Sequence, residues 1–180
     1  MPFSFVGTVV EESNFPSNQF TPDFFHAEVC KNYVIACSDV VLILSDGKIL
    51  LGKRRNEPCI GQWYYFGGRM NAGETPKKTA QREVREETNL SLDISRFIPL
   101  GTTFEIRAHG GLQEGGVSYL SIIFVVYLTN DEYLQIRLNK EHGSFTAVAP
   151  QEIIAHSDEY DHLMTQVAKK VMELFPRVCS

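Results

Sequence analysis

No apolar run in the 180-residue sequence reaches the roughly 18–20 residues that a membrane-spanning helix needs. Its four cysteines, Cys30, Cys37, Cys59 and Cys179, form no C-x-x-C pair and no zinc-ligand spacing. They read as reduced, mostly buried thiols of a cytoplasmic protein. Excess basic charge is also missing: the formal net charge is −5, which argues against nucleic-acid binding by broad phosphate neutralisation. Met1 to Val10 contain neither a basic region nor a small-residue cleavage site, which argues against secretion. Internal repeats and low-complexity linkers are absent as well. What is present is an ordinary globular composition, 43% hydrophobic and 11% aromatic, at a length suited to one domain over residues 1–180. A small phosphorylated substrate stays open, because a divalent cation reverses the sign of the field locally.

Patterning along the chain predicts alternating elements. Residues 1–20 read as a short strand or arm followed by loop. Thr21 as cap and Pro22 at the first helical position predict a helix over 22–32. Val34 to Leu44 is rich in β-branched residues and Ile49 to Gly52 is apolar, with an Asp-Gly turn between them. The aromatic run Trp63 to Phe66 predicts a third strand, mostly core-facing, with one or two rings open to stacking on a base. Pro76 to Asn89 reads as a helix, Ile98 to Ile106 and Val117 to Leu128 as strands, and Phe145 to Val148 as a short strand. Pro150 to Ala155 and Glu159 to Leu174 close the chain as helices. Strands in the middle with helices on either side predict a mixed sheet sandwiched by helices.

One segment carries chemistry. Thr75 and Pro76 start a helix on which Glu83, Glu86 and Glu87 fall at i, i+3 and i+4, on one face. Like charges so placed repel by roughly 0.2–0.5 kcal/mol per pair. A divalent cation reverses that penalty, since carboxylate oxygens are the ligands Mg²⁺ prefers. Taken alone, Arg-Glu-Val-Arg-Glu-Glu is an ordinary solvated acidic face with intrahelical ion pairs from Arg82 and Arg85. Its surroundings change that reading. From Gly68, five residues precede Glu74, seven more precede Arg82-Glu83, and Val84, Glu86-Glu87 and Leu90 follow.

This resembles the Nudix box, G-x5-E-x7-R-E-U-x-E-E-x-G-U with U a bulky aliphatic, over residues 68–90, at eight of nine specified positions. The departure is Asn89 in place of glycine, just past the helix end. Asparagine best tolerates the left-handed conformation expected there. The resemblance implies an α/β fold, an α/β/α sandwich with a mixed central sheet, and a Mg²⁺- or Mn²⁺-dependent hydrolase of a nucleoside diphosphate linked to another group. It implies that Glu86 and Glu87 are the principal metal ligands, with Glu83 a further ligand or the base that activates water. The Gly68 carbonyl is another implied ligand. Arg82 orients the glutamates, and Glu74 braces loop and helix. Water would attack phosphorus in line.

Upstream, Leu51-Gly52-Lys53-Arg54-Arg55-Asn56-Glu57-Pro58, Gly61-Gln62-Trp63 and Gly67-Gly68-Arg69 resemble the GDP-mannose mannosyl hydrolases of the same family. That resemblance gives Arg54 and Arg69 the role of holding the nucleotide diphosphate, for which a guanidinium fork is suited. Those enzymes have lost two box glutamates and attack the sugar carbon. Here both positions are filled, by Glu83 and Glu86, favouring attack at phosphorus, with a nucleotide sugar as substrate class and glycosyl cleavage of GDP-mannose as the alternative. Their general base is a late-loop histidine; His109, His142, His156 and His162 are candidates, and none aligns. A non-catalytic nucleotide sensor is disfavoured because the box carboxylates are intact. The expected partner is a small nucleotide, with no nucleic acid and no membrane, and a homodimer stays open.

Overall fold

A computed structural model describes residues 23–56, 59–107 and 116–175. Helix α1 (Asp23–Asn32) leads into β1 (Val34–Ile43), β2 (Ile49–Arg54), β3 (Trp63–Tyr64) and β4 (Phe66–Arg69). Helix α2 (Pro76–Thr88) and a 3₁₀ turn (Ile94–Arg96) follow, then β5 (Ile98–Arg107) and β6 (Val117–Tyr127). The chain continues through α3 (Asn130–Gln135), β7 (His142–Val148), α4 (Pro150–Ala155) and α5 (His162–Leu174). The caps expected at Thr21 and Pro22 lie outside the described residues.

The seven strands form one mixed sheet in the order β3-β2-β1-β6-β5, with β4 also pairing β1 and β7 pairing β2. β1 and β6 run parallel, from Val34↔Ser118 to Ile43↔Tyr127; the other pairs are antiparallel. Alternation along β1 divides the core. Val40 and Leu42 pack with Phe66, Ala80, Val84 and Phe124 beneath α2. Val41 and Ile43 pack with Tyr65, Ile153, Met164, Val167 and Val171 beneath α4 and α5. Each such fully buried apolar side chain contributes roughly 1.5–3 kcal/mol. The result is the three-layer α/β architecture expected from the order of elements. No helix among the described residues is long and apolar enough to cross a membrane.

Several boundaries differ from the sequence reading. The aromatic run is two strands: Trp63 and Tyr64 pair with β2, whereas Phe66 onward pairs with β1. The chain changes partner at Tyr65, whose buried hydroxyl donates to the Met164 carbonyl at 3.0 Å. β7 begins at His142, three residues before the predicted start at Phe145, because its polar opening pairs with the end of β2 through His142↔Arg54. Helix α5 starts at His162 rather than Glu159, since Asp161 is its cap and accepts from the Leu163 N–H at 2.9 Å. Two elements were not anticipated: the 3₁₀ turn, and α3, which opens on a Thr129/Glu132 capping box.

Candidate active site

Helix α2 brings the acidic residues together. Its start is as expected: the Thr75 hydroxyl accepts from the Lys78 N–H, and Pro76 occupies the first turn. Its end is too: Asn89 is left-handed, φ 61°, with its N–H donating to the Arg85 carbonyl. Ala80, Val84, Glu87 and Thr88 make the buried stripe of the helix. Glu87 therefore occupies a core position, its side chain 3% exposed, while those of Glu83 and Glu86 are 14% and 44% exposed. The shared acidic face is graded from solvent to interior.

Arg82 organises the solvent side. Its Nε and Nη2 donate to the two oxygens of Glu74 at 2.7 and 2.9 Å. Nη1 donates to Glu83 at 2.6 Å and Glu86 at 3.2 Å, and Nη2 also reaches the Arg69 carbonyl at 3.0 Å. These contacts match the five N–H donors of a guanidinium. Glu74 further accepts from the Asn71 N–H and the Thr79 hydroxyl. Burial alone would raise its pKa, but these donors outweigh burial and hold it at about 2. Arg82 and Glu74, for which the box implies orienting and bracing roles, are thus in direct contact.

Glu83 and Glu87 behave differently. Burial, only partly offset by Arg82, pushes Glu83 up to about 7. Burial also raises Glu87, against hydrogen bonds from His142 and the Gly67 N–H. The Gly67 N–H donates to Glu87 Oε2 at 2.7 Å, and His142 Nε2 lies 2.9 Å from Oε1. Gly68 leaves room for the Glu83 carboxylate: a Cβ there would lie 2.6 Å from Glu83 Oε1, so any larger residue would require that carboxylate to shift. The carboxylate and the Gly68 backbone are thereby pressed together.

These donors suit a hard cation in kind, being three carboxylates and a peptide carbonyl, all oxygen. Among the described residues no three or more His, Cys, Asp or Glu side chains converge as a ready-made metal cage. Arg82 instead spans Glu83 and Glu86. Of the three, Glu86 is the exposed one and the one with room to reorient.

Arg54 ends β2, with its guanidinium 5.9 Å from the Tyr64 ring centre. Arg69 ends β4. Their backbones adjoin the cluster, Arg54 opposite His142 in the sheet and Arg69 through the bond to Arg82. Of the candidate histidines among the described residues, only His142 meets the glutamates. His156 lies near Glu159 and His162 near Gln166, both at exposed positions; His109 lies outside the described residues. Asp39 was not anticipated. It is a charged residue inside an apolar strand, pushed up to about 7 by burial and hydrogen-bonded by Ser121.

A model of the NUDIX domain matches residues 36–174. The chain belongs to the NUDIX domain family. An oxidized purine nucleoside triphosphate hydrolase of Danio rerio is 39% identical over 54 residues, covering 30% of this chain and 35% of that protein. The chain thus spans about a third of that relative's length. The nucleoside triphosphatase NudI of Escherichia coli O139:H28 is 25% identical over 115 residues, 63% of this chain and 81% of NudI. In fold, the MutT protein from Methanosarcina mazei Go1 superposes with a TM-score of 0.60 at 22% identity, over 79% of this chain and 96% of that one. The NUDIX match contains the whole of residues 68–90.

Proposed function

We propose that this NUDIX chain is a divalent-metal-dependent hydrolase that splits the diphosphate linkage of a small nucleotide, with nucleotide sugars as the substrate class, by attack of water at phosphorus. The observation that carries the reading is Glu87: a carboxylate buried at a core position of α2, held by two donors and flanked by Glu83 and Glu86. Core positions favour apolar residues, and a buried carboxylate with perturbed ionisation, clustered with others, is the signature of a working site. Glu83, Glu86, Glu87 and the Gly68 carbonyl would hold Mg²⁺ or Mn²⁺. When bound, the cation would neutralise diphosphate charge and favour ionisation of the attacking water.

The remaining roles belong to this chain's side chains. Glu83, beside Glu86 and Glu87 on the same helix face, would serve as a further ligand or as the base that accepts a proton from the attacking water. Arg54 and Arg69 would bind the substrate phosphates as guanidinium forks. A groove of about 430 Å³, lined by Thr103, Phe104, Glu105, Asp161, His162 and Gln166 among others, offers a ring face and polar edges for the nucleoside or the attached group. The reading takes the chain as one domain acting in the cytoplasm on a small nucleotide.

The competing reaction, glycosyl cleavage of GDP-mannose, draws on the upstream run Leu51–Pro58 and Gly61–Trp63. It requires a histidine free to act as base near the substrate; His142, which meets the glutamates, is buried and engaged with Glu87, and the retained Glu83 and Glu86 favour attack at phosphorus. A screen of nucleoside diphosphate derivatives and triphosphates with Mg²⁺, read by product mass, tests the proposal. A nucleoside monophosphate plus a sugar phosphate is the expected outcome; turnover of triphosphates alone would move the substrate class toward that named for NudI.

A further inference from the structure

His142 opens β7 fifty-five residues from Glu87 in sequence, yet their side chains meet end to end. Both are almost fully buried, at 2% and 3% exposure. The ring fits there because of two neighbours. Phe66 packs against it, ring centres 5.1 Å apart. Gly52 on β2, the register partner of Phe145, lies against the ring, so that a Cβ there would come within 2.5 Å of Nδ1 and 2.9 Å of Cε1. Any side chain at position 52 would push the imidazole out of place. Phe66, Gly52 and β7 thus form a socket for one ring, whose far nitrogen points at Glu87.

The proton position follows from satisfaction of the two nitrogens. Nε2 faces the Glu87 oxygen, whereas Nδ1 is buried without a hydrogen-bond partner among the described residues. A buried N–H donor left unmatched costs more than a buried imine lone pair, because donors are orphaned less readily than acceptors. The ring proton therefore sits on Nε2 and is donated to Glu87 Oε1. The Gly67 N–H fixes Oε2 in the same way. A carboxylate has about four lone-pair sites, so two directions are taken and two are left for a cation.

Resting on the metal-site reading above, we infer that His142 is a positioning residue: as the Nε2–H tautomer, seated against Gly52, it locks the Glu87 carboxylate in the orientation that binds the divalent ion. Partners of metal ligands typically contribute 10–100-fold in metal affinity.

The test uses Mn²⁺ binding by calorimetry and ¹H–¹⁵N spectroscopy of the metal-free protein. The wild-type His142 ring should carry a proton on Nε2; a ring protonated on Nδ1 alone overturns the inference. His142→Leu should weaken Mn²⁺ binding about 10–100-fold, and His142→Gln, whose amide places a donor near the Nε2 position, should restore most of it. Gly52→Ala alters neither partner, yet it should weaken binding similarly by displacing the ring, and it replaces the Leu variant should that fail to fold. Wild-type affinity in both the Leu and Ala variants, or equal losses in Leu and Gln, overturns the role of His142 while leaving the metal site intact. A wild type that binds no Mn²⁺ sinks the metal reading itself, and the role of His142 with it.

Discussion

Arg82 and Glu74 are joined by two parallel hydrogen bonds, 2.7 and 2.9 Å long, across the junction between the loop after β4 and helix α2. The pair fixes where the guanidinium sits, and its remaining donors then set Glu83 and Glu86. Glu74→Gln keeps the shape of the side chain and removes its charge. Loss of the charged acceptor should cost about 1–3 kcal/mol of stability and lower activity without abolishing it. Urea denaturation with parallel rates checks this. Unchanged stability would show that the brace is ornamental.

Glu86 and Glu87 are predicted to respond differently to the same change. Glu86 is the most exposed of the three, so Glu86→Gln should leave the fold intact and reduce the rate by orders of magnitude through lost charge at the site. Glu87→Gln places a buried amide against two donors, from Gly67 and His142. It should lose both activity and stability, since the NH₂ end finds an acceptor on His142 only if the ring proton moves to the partnerless, buried Nδ1. Thermal melts of the two variants separate these outcomes; equal stability would contradict the burial argument.

The grouping of much of this candidate site is legible in the sequence, and the reasons are local. Glu74, Arg82, Glu83, Glu86 and Glu87 lie within 14 residues on a loop and one helix, where spacing alone decides who shares a face. Asn89 is legible because few residues other than glycine accept φ 61°. The pairing of His142 with Glu87 depends on how β7 docks on β2, a contact no local pattern encodes. The switch of partner at Tyr65 is hidden for the same reason, as four aromatic residues in a row carry no turn signal. Asp39 and the Thr129/Glu132 capping box did leave signals, a charge inside an apolar strand and a Thr-x-x-Glu motif, respectively.

Asn89 supplies a further check. Asn89→Gly should be neutral or slightly stabilising, because glycine adopts the left-handed region without a Cβ penalty. Asn89→Val should destabilise by about 1–3 kcal/mol, the cost of forcing a β-branched residue into that region. Denaturant midpoints decide it, and a Val variant as stable as the wild type would contradict the observed cap.

Stability of the metal-free protein should be bell-shaped in pH. Glu74 sits at about 2 in the folded state against an ordinary 4.5, so its contribution is complete above 4.5 and is lost as pH falls toward 2. Glu83 is shifted the other way, from 4.5 to about 7. Ionising it in the folded protein costs free energy, and that cost grows as pH rises from 4.5 through 7. Asp39, raised from 3.8 to about 7, adds a loss of the same sign. Melting temperature without metal should therefore peak near about pH 5 and fall toward pH 8. Glu83→Gln should lessen the alkaline fall, leaving the part that Asp39 contributes, and leave the acid side unchanged. A metal-free stability that climbs steadily from pH 5 to 8 would contradict these assignments.

Added Mg²⁺ should raise the melting temperature at pH 8 by mass action on the folded state, because the cation offsets the repulsion among the three carboxylates. The gain should shrink in Glu86→Gln. An identical gain in the variant would place the binding elsewhere.

The bond that breaks tests the central claim most directly. Hydrolysis of a GDP-sugar in ¹⁸O-labelled water, with Mg²⁺ present, delivers the label to whichever atom water attacks. Attack at phosphorus predicts a nucleoside monophosphate and a sugar phosphate, with ¹⁸O in one of the two phosphates and none on the sugar carbon. Labelled free sugar with unlabelled GDP would contradict the account and make the chain a glycosyl hydrolase.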